Sequence, residues 1–208
     1  QVIEETIISK DGDRRSISYT YDAAGNVTSM KDAAGRVTEY TYDSMSNLVE
    51  TCYPDGSREV SVYDSASNLI SYTNRNGICT EYTYDLLRNI TSITTGGSIV
   101  KYEYYPNGKI YKITDADGQT RTYYYDNNWK CNKEKDNEGN SKSYTYDAAG
   151  NVTMEIDPLG NRITYQYDNW GRCIQTTDPN GNKTTYSYDS NDNCIRMIDA
   201  LGNVTDMT

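Results

Sequence analysis

Aromatic and polar residues alternate at Tyr144-Thr145-Tyr146, and the same alternation returns along the whole chain. With the second tyrosine in register, it recurs at Tyr21, Tyr42, Tyr63, Tyr84, Tyr104, Tyr125, Tyr146, Tyr167 and Tyr188. The step is 21 residues throughout, apart from one step of 20 between Tyr84 and Tyr104. Two residues before each of them stands another tyrosine in eight of nine copies, Ser61 being the exception. Residues i and i+2 of a strand share a face, so each Tyr-x-Tyr pair lies side by side on one face. Thr, Val and Ile crowd its flanks, as strands favour. Further along each copy lies an apolar slot, filled by Val27, Leu48, Leu69, Ile90, Ile110, Cys131, Val152, Cys173 and Cys194. It opens a second short strand. Self-similarity at such a period marks a repeat array.

Between the strands lie turns of two kinds. The first follows the register tyrosine and begins with Asp22, Asp43, Asp64, Asp85, Asp126, Asp147, Asp168 and Asp189; Tyr105 takes the place in the remaining copy. An aspartate at the first position of a type I turn can bind the backbone two residues on. Gly25, Gly108, Gly150 and Gly171 hold the fourth position in four copies. Elsewhere the following Asn47, Asn68, Asn89 and Asn193 are expected to supply the left-handed residue, since Asn tolerates that conformation next best. The second turn has a glycine in every copy: Gly35, Gly56, Gly77, Gly97, Gly118, Gly139, Gly160, Gly181 and Gly202. All four prolines, at 54, 106, 158 and 179, follow the first turn position, where their fixed φ suits a type I turn. Gly96-Gly97 in the shortened copy reads as a two-residue hairpin turn. These connections are too short for parallel crossovers. The fold expected is therefore all-β, an antiparallel meander of hairpins with about eighteen strands, two per copy.

The 208 residues carry a formal net charge of −10 and contain no His and no Phe. The unbroken repeat argues for one continuous array over residues 1–208, cut in mid-repeat at both ends. Asp11-Gly12 reads as a turn near the start, and Leu201-Gly202-Asn203-Val204-Thr205 opens a strand whose Tyr-x-Tyr-Asp does not arrive. No segment approaches a membrane-spanning run, and the first ten residues lack a signal-peptide pattern. The acidic balance speaks against nucleic acid as a partner, since phosphate binding needs a basic footprint.

Candidate chemistry is sparse. Without His there is no Ser-His-Asp triad, and zinc would need four thiolates. Cys131, Cys173 and Cys194 occupy the apolar slot, which fits small packed residues; these and Cys52 and Cys79 are expected to be free thiols. The aspartates recur where turns require them, so repetition explains them better than acid–base catalysis does. Asp115-Ala116-Asp117-Gly118 and Asp189 to Asn193 offer oxygens to calcium, yet neither continues into an EF-hand loop. The N-x-T triplets at Asn26, Asn89, Asn151, Asn182 and Asn203 match a glycosylation signal but follow largely from the repeat. No cofactor is expected. The 22 Tyr and two Trp fit either packing of a thin sheet or a carbohydrate-binding surface.

The unit Y-x-Y-D-x-x-G-N/R-[LVI], followed about ten residues on by D-x-x-G, resembles the YD repeat of RHS-repeat proteins over essentially residues 12–208. The departures are local: Ser61, Tyr105, and a residue other than glycine in five of the first turns. That family includes bacterial polymorphic toxins, BC components of insecticidal toxin complexes, wall-associated proteins and animal teneurins. The resemblance implies a curved, open β-strip that spirals into a hollow shell. In bacterial members the shell encloses a C-terminal toxin domain, released by self-cleavage at a core region; neither that region nor a variable toxin domain is visible here. It thus implies a non-catalytic scaffold, secreted or at the cell surface, bacterial rather than animal. Its partners would be the rest of its own shell and an enclosed toxin domain, with edge-to-edge self-association open to its end strands. A second reading remains: an extracellular adhesion or carbohydrate-binding module using the aromatic strip. A β-propeller would need a 42-residue alternation of inner and outer strands, which the sequence lacks.

Overall fold

The computed structural model describes residues 2–8 and 14–207. The expected turn at Asp11-Gly12 lies outside the described residues. No helix occurs among those described. The chain divides into two compact units, Gln1–Gly108 and Lys109–Thr208.

The first unit comprises β1 (Val2–Ile8), β2 (Arg14–Tyr21), β3 (Val27–Lys31), β4 (Val37–Tyr42), β5 (Leu48–Cys52), β6 (Arg58–Tyr63), β7 (Leu69–Thr73), β8 (Cys79–Tyr84), β9 (Ile90–Thr95) and β10 (Ser98–Tyr104). From β1 to β10, consecutive strands pair antiparallel. The second unit repeats the plan with β11 (Ile110–Thr114), β12 (Thr120–Tyr125), β13 (Cys131–Asp136), β14 (Ser141–Tyr146), β15 (Val152–Ile156), β16 (Arg162–Tyr167), β17 (Cys173–Thr177), β18 (Lys183–Tyr188), β19 (Cys194–Ile198) and β20 (Val204–Asp206). Among the described residues no contact joins β1 to β10 or β11 to β20, so neither meander closes on itself. Among the described residues there are twenty strands where eighteen were expected, because β1 and β20 lie outside the nine registered copies.

Four strands that end in a register tyrosine, β4, β6, β8 and β16, show in full the alternation written in their sequence. Along β4, β6 and β16 the residues switch between exposed and enclosed at every step, and both tyrosine positions fall on the enclosed face. No apolar side chain is fully buried among the described residues; Thr38 and Thr51, each 7% exposed, are the most enclosed. Each unit is thus a single layer. Its order comes from the ladders, from half-buried aromatic rows and from turn chemistry, since no second layer covers either face.

The ladders are uneven in length. Within the hairpin closed by a first turn, β16 and β17 pair from Thr164↔Thr177 to Tyr167↔Cys173. Between β15 and β16 the pairs run only from Met154↔Thr164 to Ile156↔Arg162. Strands of successive first-turn hairpins therefore part before the register tyrosine is reached. A bulge sits there too: Tyr167 faces Cys173 while Gln166 faces Gln175, which leaves Ile174 unpaired. The same shift recurs at Tyr21, Tyr42, Tyr63, Tyr84, Tyr125, Tyr146 and Tyr188. In every one of these pairs the tyrosine's partner is the residue of the apolar slot.

Candidate functional site

Both kinds of turn fold the same way. In a first turn, Gly25 N–H donates to Asp22 O at 3.3 Å and Asp22 N–H donates to Asn26 O at 3.0 Å; in a second turn, Gly35 donates to Asp32 O at 2.9 Å and Asp32 to Arg36 O at 2.9 Å. This is a three-residue hairpin loop, a type I turn followed by a left-handed residue. The second-turn glycines Gly35, Gly56, Gly77, Gly97, Gly118, Gly139, Gly160, Gly181 and Gly202 all have φ between 77° and 95°. Gly96 (φ 58°) joins Gly97 in a two-residue turn with both central residues left-handed, as a type I′ hairpin requires.

The carboxylate of each first-turn aspartate is occupied within the turn. Asp22, Asp43, Asp64, Asp85, Asp126, Asp147, Asp168 and Asp189 all accept the backbone N–H four residues on, at 2.8–3.0 Å. Where that residue is Asn, its side-chain amide donates to the other carboxylate oxygen, as from Asn26 to Asp22 Oδ2 at 2.9 Å. The Asn26 amide, with the N–H of the same residue, holds Asp22 below the usual carboxylate range; Asp43, Asp64, Asp85 and Asp189 are lowered in the same way. The two loops weighed for calcium bind themselves likewise. Asp189 accepts Asn191 N–H, Asn193 N–H and the Asn193 amide, while Asp115 accepts Asp117 N–H and Gln119 N–H.

This corrects the expected role of Asn47, Asn68, Asn89 and Asn193. The left-handed residue is the one before each of them: Ser46 (φ 63°), Ser67 (φ 61°), Arg88 (φ 65°) and Asp192 (φ 66°), together with Trp129 (φ 57°). The asparagine is instead the clasp of the turn, because its short amide just spans back to the aspartate. Several of these side chains also reach the next copy. Asn26 Nδ2 donates to Ser46 Oγ at 3.1 Å and Asn47 Nδ2 to Ser67 Oγ at 3.0 Å. Arg172 pairs with its own Asp168 at 2.7 Å and with Asp192 Oδ1 of the next copy at 2.9 Å. These clasp residues were missed from sequence. Their signal was the Asn or Arg that regularly follows the left-handed position.

The register tyrosines bind across the gap where the ladders stop. Tyr84, Tyr104, Tyr125, Tyr146, Tyr167 and Tyr188 donate their hydroxyls to the carbonyls of Leu69, Ile90, Ile110, Cys131, Val152 and Cys173, at 2.5–2.9 Å. Each acceptor is the slot residue of the preceding copy. The phenol thus takes a carbonyl that the parted ladder leaves open, which answers the requirement that enclosed backbone groups be paired. Burial pushes up the phenol pKa at Tyr42, Tyr84, Tyr104, Tyr146, Tyr167 and Tyr188, which keeps the donor proton in place.

The other tyrosine-face positions vary. In the first unit Glu59 accepts the Tyr53 hydroxyl at 3.0 Å. In the second, Lys142 Nζ lies 2.9 Å from Glu155, Arg121 lies 3.9 Å from Glu134, and Tyr144 donates to Glu134 at 3.4 Å. Hydrogen bonds to Glu155 and then to Tyr144 raise the Lys142 pKa. The five cysteines are free thiols; Cys79 is exposed and the rest half-buried. Burial raises the thiol pKa at Cys131 and Cys173. Among the described residues no cluster of three metal-ligating side chains occurs, and no helix is long and apolar enough to cross a membrane.

Comparison with known proteins agrees with this geometry. The model of the RHS Repeat family matches residues 7–37, 21–58, 63–100, 133–162, 154–183 and 167–204, more than half of the chain. No curated protein gives a significant match. The solved Tc holotoxin pore of Photorhabdus luminescens is similar, with 17% identity and a TM-score of 0.57 over 92% of this chain and 13% of that one. The crystal structure of TcdB2-TccC3 is similar at 15% identity and a TM-score of 0.57, over 98% of this chain and 16% of that one. The form without the hypervariable C-terminal region is similar at 14% identity and a TM-score of 0.58, over 95% and 15%. These likenesses concern the fold, and this chain spans 13–16% of the length of those chains. With its repeat frame and the family match in agreement, the chain belongs to the RHS repeat family.

Proposed function

We propose that the chain is a non-catalytic segment of an RHS shell whose parent protein encloses or presents a C-terminal toxin domain, secreted from a bacterium or held at its surface. In this reading the 21-residue repeat makes residues 1–208 one continuous array, and the partners are further segments of the same shell and the toxin domain. The observation that carries the reading is where the frame spends its polar groups. Turn carboxylates and register phenols bind the array's own backbone, copy after copy, leaving them engaged in holding shape. Likeness in fold to parts of Tc toxin structures gives further support.

The test uses the full parent protein. Limited proteolysis should leave the domain downstream of the repeats intact while the array is folded, and should degrade it once denaturant melts the array. Digestion of that domain at the same rate with the array folded and unfolded would defeat the reading.

A further inference from the structure

The net charge of −10 is laid unevenly over the sheet. Partners across a ladder share a face, and so do residues i and i+2 of one strand. In the second unit Lys112 faces Thr122, and Thr122 faces Lys135. One row further along, Tyr124 faces Lys133, and Ser143, Ile156 and Arg162 continue that row. Thr164, Thr177 and Lys183 belong to the next. All of these lie on the face opposite the register tyrosines. From β11 to β18 the charged strand residues of that face are Lys112, Lys133, Lys135, Arg162 and Lys183, every one of them basic. The acidic strand residues of the same span, Glu134, Asp136 and Glu155, face Tyr123, Arg121 and Tyr144, so they lie on the tyrosine face. There they meet cations of their own, Glu155 with Lys142 and Glu134 with Arg121. Among the described residues no carboxylate pairs with Lys133, Lys135, Arg162 or Lys183. The corresponding face of the first unit is mixed: Glu39, Glu50 and Glu81 stand among Lys31 and Arg58, and Arg58 is bonded to Glu50.

Carboxylates border this basic face on two sides, Asp126, Asp147 and Asp168 in the first turns and Asp136, Asp157 and Asp178 in the second. The distance between the borders is one strand length, about 17–20 Å. A bilayer or a nucleic-acid duplex laid on the face would meet both acidic borders. A thin chain running across the strands meets only the basic residues. Lys112 and Lys135 stand two strands apart, as do Arg162 and Lys183, which sets them about 10 Å from each other. Hydroxyl side chains fill the intervals, among them Thr122, Ser143 and Thr177. We infer that this face binds a linear phosphodiester polymer with hydroxyl-bearing spacers, poly(glycerol phosphate), an activity beyond the scaffold role. Ammonium and guanidinium groups take the phosphate oxygens, and Ser and Thr exchange hydrogen bonds with the spacers. Inorganic polyphosphate packs its charges far more closely than these cations stand. Single-stranded nucleic acid needs aromatic platforms for its bases; from β12 to β18 Tyr124 is the sole aromatic strand residue on the face, with Lys133 Nζ 5.8 Å from its ring centroid.

Calorimetric titration of the folded 208-residue chain with a synthetic glycerol phosphate decamer tests this. Binding should saturate, and log K should fall against log salt with a slope of about −3, as four or five phosphate contacts give at about 0.7 each. A glycerol phosphate trimer cannot reach across the strands from β11 to β18, about 34 Å. At equal phosphate it should bind at least about tenfold more weakly. Lys133→Gln combined with Arg162→Gln should make the slope shallower by about 1.4 and weaken the decamer at least about tenfold, at an unchanged far-ultraviolet spectrum. Lys183→Gln, at an exposed strand end, should take about 0.7 from the slope and decides the matter if the double variant melts early. Lys142→Gln, on the tyrosine face, should change neither slope nor affinity. No saturable binding of the decamer would overturn the site. So would tighter binding of a thymidine decamer, of inorganic polyphosphate at equal phosphate or of phosphatidylglycerol vesicles, or an equal loss in folded Lys142→Gln.

Discussion

The two edges of the repeat share one backbone turn and treat its left-handed position differently. At the second turn that position is glycine in all nine copies, whereas at the first turn Ser46, Ser67, Arg88, Trp129 and Asp192 adopt φ near 60°. Such residues carry a strain cost of order 1 kcal/mol or more. At three of these five it is offset by the clasp residue of the preceding copy, which meets the side chain: Ser46, Ser67 and Asp192 each accept such a bond. At the second edge the clasps Arg36, Asn161, Asn182 and Asn203 bind their own aspartates, and a link such as Arg75 to Asp55 bypasses the left-handed residue. A side chain at that position would be strained there without a partner. At Ser46, Ser67 and Asp192 a non-glycine residue at the strained position coincides with a neighbour that bonds its side chain.

What the edges have in common should respond most strongly, and acid is the lever. Asp22, Asp43, Asp64 and Asp85 of first turns and Asp32, Asp136, Asp157, Asp178 and Asp199 of second turns all have lowered pKa values. Hydrogen bonds from the clasp residue lead among the causes. The unfolded chain binds protons to these groups more readily, around the ordinary value near 4. Their stabilisation is therefore complete above that value and is lost as pH falls through the lower folded pKa values. Melting temperature should be nearly level from about pH 8 to 5 and drop steeply below about 4. Hydrogen exchange at the 22–26 and 32–36 turns should accelerate together. One edge opening at clearly higher pH than the other would show that their clasps are not equivalent.

A single substitution separates the edges. Gly160 has φ 85° and open space where a Cβ would go, so only the backbone opposes a side chain. Gly160→Val should destabilise by about 1–3 kcal/mol, whereas Ser190→Ala, in a first turn but away from the left-handed position, should stay within about 0.5 kcal/mol. Equal shifts in denaturant midpoint would refute the assignment of strain to the glycine. Tyr167→Phe tests the link between copies. It removes the hydroxyl that meets Val152 O at 2.8 Å, at an expected cost of about 0.5–1.5 kcal/mol. A Phe variant as stable as the parent would mean that water replaces the phenol there without loss.

Much of this frame was legible in the chain because it repeats. The period gave the strands, the Tyr-x-Tyr pairs gave a face, and Asp, Gly and Pro gave turns whose geometry the φ values and hydrogen bonds define. The clasp was not legible. Asn47 follows the left-handed residue by one position, and propensity alone makes Asn the better candidate for positive φ than Ser46. Only the location of Asp43 Oδ2, 2.9 Å from the Asn47 amide, shows that the asparagine is needed elsewhere and leaves the strain to serine.

The smallest effect tests the compensation itself. Ser46→Gly removes strain of about 1 kcal/mol, but it also frees the unfolded chain by about 0.4–1 kcal/mol. It further gives up the exposed bond from Asn26, which sits at the low end of about 0.5–1.5 kcal/mol. The sum should lie within about 0.5 kcal/mol of zero. Gly160→Ser, with no partner to meet, should cost about 1 kcal/mol. A double-mutant cycle isolates the reason. When Asn26→Ala has already removed the donor, Ser46 has only its strain, and Ser46→Gly should then be more favourable than in the parent by about 0.5 kcal/mol. Denaturant titration of the four proteins measures this directly. A coupling of zero would mean that Ser46 tolerates its conformation unaided, and the difference between the edges would need a cause other than the neighbour's reach.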